Sequence, residues 1–152
     1  MTPSPAAFTV RPLERRDYEA WRPLFEGYIA FYKSQVSDDV ILTTFERLLS
    51  GEEGSHRGLV AVDGADRPFG LAHILFHRST WSPTHYCYLE DLFVDPAARA
   101  KGAGRALIDA VYAEADKRQA TRTYWATPEF NYRARGLYDQ VATKSPFVQY
   151  RR

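Results

Sequence analysis

The sequence predicts a mixed α/β fold, with a mostly antiparallel central sheet of six to seven strands and helices on both faces. Three observations support this prediction. The length of 152 residues suits one domain. The 45% hydrophobic and 14% aromatic content is enough for a sizeable core. Strand-like hairpins dominate the first half, whereas strands alternate with helices in the second half. We expect residues 1–7 to be a disordered lead and residues 8–152 to form the domain.

The first half of the chain is predicted to contain three strands and two helices. Alternating apolar residues indicate strands, and apolar residues at three- and four-residue spacing indicate helices. Asp38 and Asp39 are suitable caps for the second helix. A short turn after Asp63 makes the last two strands an antiparallel hairpin. In chain order, the elements are a strand at 8–12, a helix after 16–17, a helix from 38, and strands at 58–62 and 69–76.

The second half of the chain is predicted to alternate strands and helices. Pro96 ends the fourth strand because it cannot continue a ladder. A glycine-containing loop follows, and a helix with Leu107, Val111 and Ala115 on one face comes directly after it. In chain order, the elements are a strand at 85–94, a helix at 103–117, a strand at 122–127, a helix at 131–138 and a strand at 147–150. We expect the cleft to open where the fourth and fifth strands splay apart.

Composition excludes several functional classes. A net charge of +1 does not favour nonspecific binding to nucleic acid or to membrane surfaces. No apolar run approaches the roughly 20 residues of a membrane helix, and no secretory leader is recognisable. The single cysteine, Cys87, excludes an internal disulfide and a cysteine zinc cage. His73 and His85 lack ligand spacing. We expect a cytoplasmic protein with no metal, membrane or nucleic-acid partner.

The strongest local signal is a glycine-containing loop between the fourth strand and the following helix. Gly102 and Gly104 allow close approach of the backbone to a ligand. The first helical turn points free N–H groups at that ligand, and the helix dipole favours an anion. Arg99, Lys101 and Arg105 add positive charge, which suits a pyrophosphate. Neither a Walker loop nor a dinucleotide fingerprint is present. The alternative is an ordinary loop before a surface helix.

Two motifs, at residues 99–104 and 131–138, resemble signatures of the GNAT superfamily of N-acyltransferases. Residues 99–104, Arg-Ala-Lys-Gly-Ala-Gly, are similar to its Arg/Gln-x-x-Gly-x-Gly/Ala signature, although Ala100 stands where many members have glycine. Residues 131–138 are similar to its Asn-x-x-Ala-x-x-Leu/Phe-Tyr motif. The strand 89–94 resembles that of the polyamine acetyltransferase branch. Together with the ending 146–150, it also resembles a fungal branch described as histone or D-amino-acid N-acetyltransferases.

The resemblance implies a GNAT-like fold and an acetyl-CoA-dependent N-acetyltransferase that acts by direct transfer. It implies that the loop amides hold the coenzyme A pyrophosphate, that Asn131 lies near the pantetheine arm and that Tyr138 lies near the thioester sulfur. A backbone N–H around Leu92 to Val94 would polarise the carbonyl. The expected cofactor-binding residues are Leu92, Phe93, Val94, Arg99, Ala100, Lys101, Gly102, Ala103, Gly104, Arg105, Asn131 and Tyr138.

Tyr138 and Glu90 are the candidate catalytic residues. Tyr138 is either the acid that protonates the leaving thiolate or a core tyrosine at helical spacing from Ala134. Glu90 and Asp91 are neighbours on a strand, so they are expected to face opposite sides, with Glu90 on the side of Leu92. Either carboxylate would handle the amine proton or hold a cation, or would form a salt bridge. The resemblance favours Glu90 for proton handling.

The acceptor is expected to be a primary amine of a small molecule such as a polyamine or an amino acid. The candidate substrate-binding residues are Tyr28, Tyr32, Glu90, Asp91 and Trp125. The alternative for the aromatic residues is simple core packing. A peptide or histone tail is the alternative acceptor, and a non-catalytic acyl-CoA-binding module is the alternative class. The apolar segment 147–150 is expected to be an edge strand through which the chain forms a homodimer.

Overall fold

The computed structural model describes residues 8–99 and 102–152. Within these ranges it contains one five-stranded sheet and four α-helices. The strands are β1 Phe8–Pro12, β2 Arg57–Asp63, β3 Pro68–His77, β4 Tyr86–Val94 and β5 Arg122–Tyr124. The α-helices are α1 Tyr18–Phe31, α2 Asp38–Leu49, α3 Ala103–Lys117 and α4 Tyr132–Val141. Short 3-10 turns lie at Arg15–Asp17 and Pro96–Ala98. The strands lie in chain order, with the first four antiparallel and β5 parallel to β4.

Each face of the sheet has its own apolar cluster. On one face, the fully buried Leu107 and Val111 of α3 pack against Ile74 and Leu89 of the sheet. On the other face, Trp21 of α1 packs with residues of α2 and β3. The mixed α/β fold with helices on both faces is therefore confirmed.

The N-cap of α2 is Ser37, one residue before the acidic pair that the sequence suggested as caps. The Ser37 hydroxyl accepts a hydrogen bond from the Val40 N–H at 3.3 Å, which makes Ser37 the N-cap. Asp38 and Asp39 instead occupy the first turn, where the helix dipole favours negative charge. Both features fix where α2 begins against the sheet.

The predicted strand at 147–150 is wrong. These residues pair with no strand in the described part of the chain, and Phe147, Val148 and Tyr150 are 85%, 77% and 93% exposed. An alternating pattern indicates an extended chain, but a strand also needs a neighbouring backbone. The last strand of the sheet, β5, offers only three residues. The sheet therefore has five described strands instead of six to seven. The predicted lead at residues 1–7 lies outside the described residues.

Strand β4 has two irregularities that shape its surroundings. His73 of β3 lies opposite Asp91 and Ile74 lies opposite Leu89, so Glu90 is the extra residue of a β-bulge. On its other edge, β4 pairs with β5 only from Tyr86 to Tyr88. The expected splaying of the fourth and fifth strands is present. It leaves the C-terminal half of β4 open along that edge, within the described residues.

Candidate active site

A cavity of about 520 Å³ lies at the open edge of β4. Its walls are the end of β4, the first turn of α3, one face of α4 and part of α1. The predicted cofactor residues that line it are Leu92, Phe93, Val94, Arg99, Gly102, Ala103, Gly104, Arg105, Asn131 and Tyr138. Ala100 and Lys101 lie outside the described residues. Phe31 of α1 lines it beside Tyr28, and the sequence analysis did not select three further lining residues: Arg133, Ala134 and Leu137.

One end of the cavity has the geometry of an anion site. Gly102 is the N-cap of α3 and has a φ of 81°, in the left-handed region that glycine adopts readily. The first turn of α3 contains no acidic residue. A Cβ added to Gly104 would lie 3.4 Å from Leu137 Cδ2, so α3 and α4 approach closely there. Arg99 and Arg105 line the same region. Free helical N–H groups and two guanidinium groups together favour a pyrophosphate.

The backbone of β4 directs donors toward the cavity. The Asp95 N–H donates to Phe69 O of β3. On the other edge of β4, Val94 O accepts from Arg99 Nε at 3.1 Å. Alternate residues of an antiparallel strand point their backbone groups the same way. The N–H groups of Val94 and Leu92 therefore face the open edge, where they are suited to polarise a carbonyl.

Asn131 contributes to the start of α4. Its Oδ1 accepts from the Ala134 N–H, and its Nδ2 donates to Thr127 Oγ1, both at 3.4 Å. The residue is the N-cap of α4 and also lines the cavity. This part of the motif thus has a structural role whatever it contacts in a ligand.

Tyr138 lies in the last part of α4 beside the cavity. Its ring packs edge-on against Trp125, with centroids 5.4 Å apart. Burial raises the pKa of Tyr138 to about 12, so the phenol is protonated at neutral pH and can donate a hydrogen bond. Trp125 also packs near Tyr112 and is not among the cavity-lining residues. Its proposed contact with substrate stays a prediction.

Glu90 and Asp91 lie on the same side of the sheet, so the expectation that they face opposite sides is wrong. Glu90 Oε1 lies 2.6 Å from His56 Nε2, and Asp91 Oδ2 lies 2.8 Å from His73 Nδ1. Leu89 and Leu92, which flank the pair, both pack in the cluster under α3, so the two residues between them lie on the other face. The bulge at Glu90 shifts the alternation by one residue.

The same shift separates Glu90 from the residues with which it was expected to share a face. Leu92 and Val94 pack against the cluster under α3, whereas Phe93 packs against the cluster under α1. Asp91 reaches His73, whose ring lies 5.2 Å from that of Phe25 in α1. The two carboxylates therefore belong to the α1 side of the sheet.

Two tyrosines of α1 connect the cavity with the carboxylates. The Tyr28 hydroxyl donates to Glu90 O at 3.3 Å, and Tyr28 lines the cavity. Burial raises the pKa of Tyr28, and the negative charge of Asp91 raises it further. Tyr32 packs edge-on against Tyr28 at 5.1 Å, and burial also raises its pKa. Tyr28 therefore connects the cavity with Glu90, whereas Tyr32, Glu90 and Asp91 are not among the cavity-lining residues.

Residues 13–142 match the sequence model of the acetyltransferase (GNAT) family. This protein belongs to the GNAT acetyltransferase family. It is 36% identical over 143 residues to the D-amino-acid N-acetyltransferase HPA3 of Saccharomyces cerevisiae, covering 94% of this chain and 89% of the yeast protein. It is 30% identical over 102 residues to the thialysine N-epsilon-acetyltransferase of Caenorhabditis elegans, covering 66% of this chain and 62% of that protein. The predicted family and the prediction of an N-acetyltransferase are confirmed.

Solved structures share the fold of this GNAT enzyme. The aminoglycoside N-acetyltransferase AAC(6')-Iy in complex with CoA has a TM-score of 0.82 at 18% identity, covering 100% of this chain and 98% of that chain. The ribosomal-protein-alanine N-acetyltransferase of Brucella melitensis has a TM-score of 0.79 at 22% identity, covering 95% of this chain and 97% of that chain. At these identities the similarity shows the fold alone.

Three residues around the two carboxylates of the GNAT enzyme were missed by the sequence analysis. His56, His73 and Trp21 contact the carboxylates or one another, and His73 had been considered only as a metal ligand. No local spacing connects residues that are 18 to 52 positions apart. The pairing of β3 with β4 places His73 opposite Asp91, and the packing of α1 on the sheet brings Trp21 to His73.

Other features of the GNAT enzyme complete the description of its chemistry. In residues 8–99 and 102–152, no group of three or more His, Cys, Asp or Glu side chains is placed to hold a metal ion. No helix among these residues is both long and apolar enough to cross a bilayer. Cys87 is fully buried, and burial raises the pKa of its thiol to about 11. This thiol is therefore a packed, unreactive group.

Proposed function

We propose that this GNAT enzyme uses acetyl-CoA and transfers the acetyl group directly to a primary amine of a small molecule, either a polyamine or an amino-acid-like compound. The observation that carries this proposal is the single cavity that joins the anion site at α3 to Tyr138 and reaches Tyr28 beside the two carboxylates. Its volume of about 520 Å³ is in the range of cofactor and substrate pockets.

Acetyl-CoA fits the positive part of the cavity. The pyrophosphate would lie at the first turn of α3, with Arg99 and Arg105 beside it, and the pantetheine arm would follow the open edge of β4. The Leu92 and Val94 N–H groups face outward from that edge. This arrangement supports binding of an extended anionic thioester whose carbonyl meets backbone donors.

A small cationic amine fits the other end. Glu90 and Asp91 supply negative charge, and Tyr28 and Tyr32 supply aromatic surface that favours alkylammonium groups. The names of the yeast and nematode relatives give D-amino acids and thialysine as their acceptors, and both are small amines. In transfer, the ammonium group loses one proton to Glu90 and its neutral nitrogen attacks the thioester carbon. As the carbon–sulfur bond breaks, Tyr138 donates its proton to the departing sulfur. The nitrogen releases its second proton to solvent, from which Tyr138 is reprotonated.

The test of this function follows the release of free thiol from acetyl-CoA in the presence of a panel of amines. The panel contains polyamines, lysine analogues, D-amino acids and a lysine-rich histone-tail peptide. We expect saturable turnover with at least one small amine and little with the peptide. Turnover with the peptide alone would support the alternative acceptor class. Coenzyme A binding without any turnover would make the chain an acyl-CoA-binding module.

The pH dependence of a Glu90→Gln variant tests the proton acceptor. The hydrogen bond that His56 donates to Glu90 raises the pKa of His56, although partial burial opposes it, so His56 is protonated more fully near neutral pH than an isolated histidine. Without the carboxylate, the enzyme needs an amine that is already neutral, and such amines become about tenfold scarcer with each unit of falling pH. We therefore expect kcat/KM to fall most at low pH, by roughly 10² or more.

The matched control for this variant is Glu46→Gln. Glu46 forms an exposed ion pair with Arg15 far from the cavity, so its loss should leave the pH–rate profile unchanged. Parallel profiles for Glu90→Gln and the parent would assign Glu90 to a structural pair with His56.

We also propose a homodimer formed through the C-terminal segment. Phe147 and Tyr150 are apolar and almost fully exposed, and segments of this kind tend to associate. Light scattering should give about twice the chain mass of 17.4 kDa, and a mass of 17.4 kDa at micromolar concentration would contradict the dimer.

A cytoplasmic location and the absence of a nucleic-acid partner are further inferences, from the single cysteine and the charge of +1.

A further inference from the structure

Three side chains form a buried hydrogen-bonded chain behind the acceptor side. Trp21 Nε1 lies 3.0 Å from His73 Nε2, and His73 Nδ1 lies 2.8 Å from Asp91 Oδ2. Trp21 is 0% exposed and His73 is 1% exposed. The chain runs from α1 through β3 to the bulged part of β4, where the Asp91 side chain is 15% exposed. It therefore links a fully buried core residue to a partly exposed carboxylate.

The hydrogen-bond chemistry fixes the tautomer of His73. The indole N–H of Trp21 is a donor only, so His73 Nε2 must accept and carries no hydrogen. The ring hydrogen is then on Nδ1, where it is donated to Asp91 Oδ2. A hydrogen on both nitrogens would break the bond with Trp21 and leave two N–H groups facing each other in the core. The geometry thus requires a neutral imidazole and an accepting Asp91 oxygen.

Asp91 is held by His73 from the core side, and its side chain remains 15% exposed. His73 binds one carboxylate oxygen from β3, while Tyr28 and Tyr32 of α1 face the group. The remaining charged neighbours are Glu90, on β4, and His56, which Glu90 holds. Among the described residues, no lysine or arginine forms an ion pair with Asp91, and its nearest basic partner is the neutral imidazole of His73. A negative charge in this position lacks a permanent counterion and suits a cationic ligand.

We propose that Trp21 and His73 are positioning residues that keep Asp91 ionised and oriented, so that Asp91 binds the ammonium group of the acceptor amine. Trp21 acts through His73: its N–H occupies Nε2, which prevents the imidazole from becoming a cation that would neutralise Asp91. This inference rests on the proposed function, because it names the residue that selects a cationic acceptor.

A purely structural role for the same residues makes a different prediction. If these buried hydrogen bonds only stabilise the fold, their loss lowers the stability and reduces activity by the same factor at every pH. If these residues keep His73 neutral beside an ionised Asp91, their loss lets His73 become protonated, and acceptor binding then changes with pH. The distinguishing readouts are the protonation state of His73 and the pH dependence of acceptor kinetics.

The first measurement is the ¹⁵N NMR spectrum of the imidazole nitrogens in the unaltered protein. We expect His73 to show the neutral tautomer with hydrogen on Nδ1 across roughly pH 5 to 8, a range in which an ordinary histidine titrates. An Nε2–H tautomer, or an ordinary titration, would overturn the proposal. This measurement needs neither a variant nor activity, so it can fail while the acetyltransferase function stands, and the reverse is also true.

The second measurement compares Trp21→Phe with Phe45→Leu. Phe45 packs against Trp21 at 5.0 Å without a polar atom, so its loss disturbs the same cluster but no hydrogen bond. In Trp21→Phe we expect His73 to take a second proton at acid pH and kcat/KM for a cationic amine to fall roughly tenfold there, with a smaller loss at alkaline pH. In Phe45→Leu the ratio to the parent should not depend on pH. Equal pH dependence in both variants would overturn the proposal.

A third variant covers the case in which Trp21→Phe does not fold. Asp91→Asn keeps the shape of the side chain and removes its charge. We expect KM for a cationic amine to rise roughly tenfold or more, with the affinity for coenzyme A unchanged. An unchanged KM would show that Asp91 does not bind the acceptor.

Discussion

Replacement of Gly104 by glutamate should abolish the binding of acetyl-CoA to this GNAT enzyme. Gly104 lies in the first turn of α3, which has no acidic residue and directs its N–H groups into the cavity. A carboxylate there would occupy the space of the pyrophosphate and repel its charge, and like charges brought together at an interface cost several kcal/mol. We expect the dissociation constant measured by calorimetric titration with coenzyme A to rise at least 100-fold.

Gly104→Ala is the matched control for this variant. A Cβ at Gly104 would meet Leu137 Cδ2 at 3.4 Å, an ordinary van der Waals contact. Alanine therefore adds the bulk that α4 can accept without adding charge, and most of the affinity should remain. If a folded Gly104→Glu protein binds coenzyme A as tightly as the parent, the loop is not the cofactor site.

The parts of this site that follow from local sequence could be predicted. The loop from Arg99 to Gly104 and the helix after it are contiguous in the chain, and the αL conformation of Gly102 needs no distant partner. The boundaries of α3 agree with the structure for the same reason, since its apolar face repeats with helical spacing. Tyr138 belongs to a second contiguous motif, and the fold brings both motifs to one cavity.

The parts that depend on strand register could not be predicted. A bulge adds one residue to β4 without changing the alternating sequence pattern of the strand. The sequence therefore contains no sign that Glu90 and Asp91 lie on the same side of the sheet. The hydrogen bonds of His56 and His73 join residues on different elements. The alternating residues at 147–150 show the converse case, in which a strand-like pattern has no neighbouring strand in the described part of the chain.

Replacement of Tyr138 by phenylalanine should lower kcat by about 10² or more while acetyl-CoA binding changes little. The thiolate that leaves coenzyme A needs a proton only as the carbon–sulfur bond breaks, so a donor at this point acts on the chemical step. Burial raises the pKa of Tyr138 to about 12. The phenol is thus protonated over the whole usual assay range, and an alkaline fall in kcat below about pH 11 would have another origin.

Tyr112→Phe provides the control that separates catalysis from packing. The Tyr112 hydroxyl donates to Val141 O at 2.8 Å, which ties α3 to the end of α4, and Tyr112 is not among the cavity-lining residues. Its loss should lower the free energy of unfolding by about 1 kcal/mol and leave kcat nearly unchanged. Tyr138→Phe keeps the ring that packs on Trp125, so it should show the opposite pattern, with stability retained and kcat lost. A Tyr138→Phe enzyme that turns over as fast as the parent with a good amine would make Tyr138 a packing residue. The proton for the thiolate would then come from water or from another side chain at the cavity.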